Sequence, residues 1–150
     1  MRKLAILIAS VLCVMIASGC AAETEQVDIK ELAETLRETL RFEDELTPVD
    51  EKTAGALYRI DDAVRSCVYI SSGATAEEIA AFELKDGGAA EKALEKAQGR
   101  IAEQRENFAL YIPEEADRLE RAVVERFGRY VVVCVSADGA AGEIISDFME

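Results

Sequence analysis

Hydrophobic and polar positions divide this chain into two unequal parts. From Leu4 to Ala22 no residue is charged, and Leu4 to Ala17 is a 14-residue apolar core behind the basic start Met1-Arg2-Lys3. From Glu23 onward, apolar residues recur at helix or strand spacing among charged ones. The first part has the layout of a secretory signal, with small residues Ser18-Gly19-Cys20-Ala21 closing the apolar core. As a helix that core would reach roughly 21 Å, short of a hydrocarbon layer of ~30 Å.

In the second part, Asp28 is placed to cap a helix running to about Arg41, with Glu31 completing a capping-box pattern. Ile29, Leu32, Ala33, Leu36 and Leu40 fall on one face of it. Phe42 to Leu46 breaks the period, and Thr47-Pro48 is expected to open a short helix through about Leu57. Two strand-like runs follow, Arg65 to Ser71 and Glu78 to Leu84, separated by the turn-rich Ser72-Gly73-Ala74-Thr75. Asp86-Gly87-Gly88 then starts a long helix reaching about Leu110, with Ala90, Leu94, Ala97, Ile101 and Phe108 inward and Gln104 in the same stripe.

Pro113 stops that pattern, and Glu114 to Leu119 reads as one or two helical turns. Ala122 to Phe127 and Tyr130 to Ser136 flank Gly128-Arg129, which reads as a β-hairpin. Asp138 is placed to cap a last helix with Ala141, Ile144, Ile145 and Phe148 inward. The order α-α-β-β-α-β-β-α predicts an α+β domain, a four-stranded antiparallel sheet with helices packed on it. A split, partly parallel sheet stays open, because the long helix could serve as a crossover. The chain thus divides into 1–19 as signal, 20–27 as lipidated Cys and linker, and 28–150 as one domain.

Composition and charge sharpen this picture. There are 17 Lys and Arg against 30 Asp and Glu, a net charge of −13, with no His. That balance argues against nucleic-acid binding, which neutralises phosphates with bases. The lack of His removes His-based triads and most zinc sites. Ala17-Ser18-Gly19-Cys20 resembles a bacterial lipobox, with Ala17 where that pattern prefers Leu, which makes Cys20 the expected acylated first residue. Cutting there removes Arg2 and Lys3 and no acid, so the net charge falls from −13 to −15 over 131 residues. An uncleaved anchor is the alternative, since Leu4 to Ala22 is 19 residues and could just span a membrane. The link Ala21 to Val27 reaches at most ~24 Å, holding the domain near the membrane surface.

Four constellations carry candidate chemistry. Alternation puts Cys67 with Tyr69, and Cys134 with Tyr130 and Val132, on single strand faces. With no Cys-x-x-Cys spacing, His or adjacent base, the pattern favours two separate buried thiols. A Cys67–Cys134 disulfide is the alternative an exported chain permits. The acidic runs Glu43-Asp44-Glu45, Asp61-Asp62, Glu77-Glu78 and Glu114-Glu115 with Asp117 could offer oxygens to Ca²⁺, but none has the spacing of a calcium loop, so a solvated face is expected. Ser71 to Thr75 could form an anion nest and is expected to be a plain turn. Gln104 on an apolar face is expected to bond loop backbone near Tyr111 and Pro113.

From Phe42 onward the chain resembles domain-of-unknown-function family 4358, short bacterial lipoproteins. The residues that carry this are Ser72 through Ile79 with Phe82, Gln104 through Tyr111, Gly128-Arg129-Tyr130-Val131 and Ser136-Ala137-Asp138. The resemblance implies a Gram-positive cell surface and no assigned activity. The resulting expectation is a lipid-anchored protein on the extracytoplasmic face of the cell membrane, with no cofactor or metal and no catalytic residue. Its domain is expected to bind an envelope protein without catalysis; a small-ligand or divalent-cation binder is the alternative.

Overall fold

The computed structural model describes residues 26–150, so the expectations on the signal segment and on Cys20 lie outside the described residues. Asp28 caps α1 (Ile29–Thr39), its carboxylate accepting from the amides of Lys30 and Glu31. Next come β1 (Thr47–Val49), α2 (Glu51–Tyr58), β2 (Arg65–Ile70) and β3 (Glu78–Glu83). The long α3 (Gly87–Ala109) leads through α4 (Pro113–Glu120) to the hairpin β4 (Val123–Phe127) and β5 (Tyr130–Val135). α5 (Ala141–Met149) follows.

The α+β class and the antiparallel pairing hold, but the sheet has five strands in the order β1-β2-β3-β5-β4. The expected four-stranded sheet lacks β1, because Thr47-Pro48 opens an edge strand instead of a helix. Pro48 has no N–H to give a ladder and fits only at such an edge. The real cap of α2 is Asp50, whose Oδ1 accepts from the Thr53 amide at 2.9 Å. Asp138 is also displaced from its expected role. Its two oxygens accept from the amides of Arg41 and Ala140, and α5 starts at Ala140 without a side-chain cap.

Both faces of the sheet are covered, which makes three layers. On one side α2, α3 and α4 enclose Val68, Ala80, Phe82, Val131, Val133 and Val135; on the other α1 and α5 cover Tyr69, Ile79, Val132 and Cys134. Every residue of β3 and β5 is buried. The unbroken run Tyr130 to Val135 follows from this, since a strand buried on both faces loses its polar alternation. The Tyr58 and Phe82 rings meet edge to face at 5.0 Å. Gly128, at φ +56°, opens the two-residue β4–β5 turn; a residue in negative φ follows, as a type II′ hairpin requires. No helix among the described residues is long and apolar enough to cross a membrane.

Candidate functional site

The chemistry of this fold hangs on acids at and beside β3. Glu77, Glu78 and Glu83 are almost fully buried, and a buried carboxylate needs charge partners and hydrogen bonds. At the end of the sheet holding the β2–β3 loop, Glu77 accepts from the amides of Glu43 and Asp44 at 2.9–3.0 Å and from the Thr75 hydroxyl at 3.1 Å. Arg118 on α4 answers its charge. Nη1 lies 2.9 Å from Glu77 Oε1 and 3.4 Å from Glu115 Oε2, off the hydrogen-bond direction, while Nη2 donates to Glu43 Oε1 at 2.6 Å. Glu115 in turn accepts from the Ala76 amide at 2.7 Å.

Three of the acidic runs therefore converge, but on one guanidinium and on backbone amides. Asp44 continues the set by taking the Ser72 amide and hydroxyl, and the hydroxyl bond first of all holds its carboxyl below the ordinary value. The Ser71–Thr75 loop thus turns its donors onto its own chain; Ser71 Oγ donates to the Thr75 carbonyl at 2.7 Å. Among the described residues, no group of three or more Cys, Asp or Glu side chains is arranged to hold a metal ion.

Next to Glu77, at the same end of β3, Glu78 binds the Tyr58 hydroxyl at 2.8 Å and Arg100 Nη2 at 2.7 Å, and the guanidinium stacks over the Tyr58 ring at 4.8 Å. Burial, then the Glu78 charge, pushes the Tyr58 hydroxyl well above its ordinary pKa. At the opposite end, Glu83 is held between Arg65 at 2.5 Å and Arg129 at 2.7 Å. Arg65 also donates to the Val27 carbonyl, and the Val27 amide donates to the Tyr130 hydroxyl, each at 3.2 Å. This is where the described chain begins.

Two cavities accompany these networks. One of about 800 Å³ lies at the Val27 end, between the start of α1, the β4–β5 turn, the start of α3 and the end of α5. A polar one of about 320 Å³ lies between α2 and β2, with Lys52, Asp61 and Arg65 in its wall.

Cys67 and Cys134 are free thiols on one sheet face. Cys67 pairs with Ala81 and Cys134 with Ile79, so β3 lies between them. Two strand spacings of ~4.8 Å separate their backbones, beyond the ~7 Å a disulfide spans, so the disulfide alternative does not fit this fold. Burial pushes the Cys134 thiol up to about 12 and raises that of Cys67, which the Glu34 charge raises further. Thiolate chemistry is disfavoured at both. Gln104 departs from expectation, since its buried Oε1 has no hydrogen-bond partner among the described residues.

Of the arginines that organise these networks, Arg65, Arg100 and Arg118 carry no sequence motif, and Arg129 is legible only as part of the Gly128-Arg129-Tyr130-Val131 turn. The available signal was indirect: Glu78 and Glu83 stand in a run otherwise apolar enough to be buried, and buried acids call for bases.

The sequence profile described as Domain of unknown function (DUF4358) matches residues 38–136. Neither the curated proteins nor the solved structures give a significant match. The matched span holds β1 to β5, α2 to α4 and every residue of the Arg118 cluster, while α5 and nearly all of α1 fall outside it. On this match, the chain belongs to the DUF4358 family of domains of unknown function.

Proposed function

We propose that the chain is a lipid-anchored module of the cell envelope that works by binding another protein, without catalysis. One observation carries this: Leu110 and Tyr111, 76% and 82% exposed, form an apolar tip at the far end of α3. The start of α3 lies at the Val27 end, where a Cβ on Gly87 would sit 3.7 Å from the Gly128 carbonyl. A helix of 23 residues runs about 34 Å, whereas a six-residue strand spans about 20 Å, so α3 carries its tip past the sheet. With Cys20 as anchor and a link of at most ~24 Å, the Val27 end lies toward the membrane and the tip away from it.

A burial-prone aromatic beside a Leu on such a tip is the composition of an interface anchor. The exposed acids Glu106, Glu114 and Asp117 flank it along the chain, so the fitting partner has an apolar pocket with a basic rim. The test places a photo-activated cross-linker at Tyr111 in intact membranes, with Lys30 on α1 as control position. One protein captured at Tyr111 but not at Lys30, and lost in Leu110→Ser, is the expected result. Equal capture at both positions, or none, would refute the adaptor reading. The small-ligand alternative is favoured by a different observation, the cleft at the Val27 end.

A further inference from the structure

The cleft of about 800 Å³ at the Val27 end has a size typical of small-molecule sites. Its chemistry is divided three ways. Val27, Phe127, Tyr130, Phe148 and Met149 supply apolar and aromatic surface. Asp28, Glu31, Asp86 and Glu150 supply exposed carboxylates. Asp28 and Asp86 each spend one oxygen on helix-start amides, at 3.0 Å from Lys30 and 2.8 Å from Ala89. Among the described residues, Arg129 is the one base in the lining.

Glu83 does not cancel that base. The single carboxylate of Glu83 faces both Arg129 and Arg65, so the three side chains carry one net positive charge. The cleft therefore sets a cationic wall and an anionic rim beside one apolar surface. A simple anion would meet the four acids, and a simple cation would meet Arg129 with nothing to offer it. A molecule carrying both charges and an apolar body satisfies all three parts.

We propose that this cleft binds a free α-amino acid with a large apolar or aromatic side chain. Its carboxylate pairs with Arg129, its ammonium with Glu31 and the neighbouring acids, and its side chain lies on Phe127, Phe148 and Met149. The proposal depends on neither the lipid anchor nor the protein partner, so its failure leaves both readings standing.

The test is calorimetric titration of the full chain, in neutral detergent, with phenylalanine and its single-charge analogues phenethylamine and hydrocinnamate. Phenylalanine is expected to bind about tenfold or more tighter than either analogue. Glu31→Gln, at an exposed position that leaves folding intact, should remove its advantage over hydrocinnamate. Arg129→Gln should remove its advantage over phenethylamine, with thermal unfolding run in parallel to confirm the fold. Absence of phenylalanine binding, equal binding of hydrocinnamate, or affinity unchanged by Glu31→Gln would each overturn the proposal.

Discussion

Arg118 shows how much one side chain can hold. Among the described residues it is the only base on Glu77 and Glu115, and through them it ties together the 41–46 segment, the β2–β3 loop and α4. Arg118→Met leaves two buried carboxylates without a cation and is expected to cost about 3–5 kcal/mol in urea unfolding. Arg105→Met breaks only the exposed pair with Glu120 and should cost less than about 1 kcal/mol. Similar losses in the two variants would show that the cluster is not a clamp. Cys134 sets a pH dependence. Its thiol ionises near 9 when unfolded and about 12 when folded, so below pH 9 both states keep the proton. Between 9 and 12 the unfolded state loses it first, and stability falls by about 1.4 kcal/mol per pH unit from this group alone. Cys134→Val should reduce that alkaline slope, with the raised Cys67 thiol and Tyr69 hydroxyl contributing to the remainder, and a thiol reagent at pH 8 should label Cys134 only after denaturation.

At the scale of elements, periodicity located the inward faces of α1, α3 and α5 and the strands β2 to β5 to within a residue or two. It failed where an element was too short to carry a period: β1 has three residues, two of them exposed, and Pro48 suits an edge strand as well as a helix start. Two glycines test the same reasoning. Gly99 lies exposed in mid-α3 with open space where a Cβ would go, so Gly99→Ala should stabilise by about 0.5–1 kcal/mol. Gly128 has as much open space but a left-handed backbone, so Gly128→Ala should destabilise by about 1–2 kcal/mol. Thermal unfolding of both variants checks the pair, and shifts of the same sign would contradict the backbone argument.

Over the whole molecule, the two ends of the sheet differ in character. The Val27 end gathers the start of the described chain, the Glu83 ion pairs and the large cleft. The other end gathers the Arg118 cluster, with the Leu110–Tyr111 tip carried beyond it. The lipoprotein reading turns this difference into an orientation, and intact mass of membrane-extracted protein tests it. The expected mass is that of residues 20–150 plus a diacylated Cys20; a mass of unmodified 1–150 would refute the anchor.

The apolar periods, the cap at Asp28, the start of α3 at Asp86-Gly87-Gly88 and the Gly128 turn were readable because each depends on neighbours a few positions away. Covalent spacing alone fixes those relations, and with them the α+β class and most element boundaries. The charge excess and the missing His likewise needed only composition. Tertiary structure decided whatever depends on partners distant in the chain. Arg118 meets Glu43 from 75 residues away, and Val27 meets Tyr130 from 103. It also placed β3 between the two cysteines, turned the acidic runs onto an arginine, and opened the cleft. Such pairings exist only once the sheet order is set, because a buried charge chooses its partner by proximity in space, and sequence records no such distance.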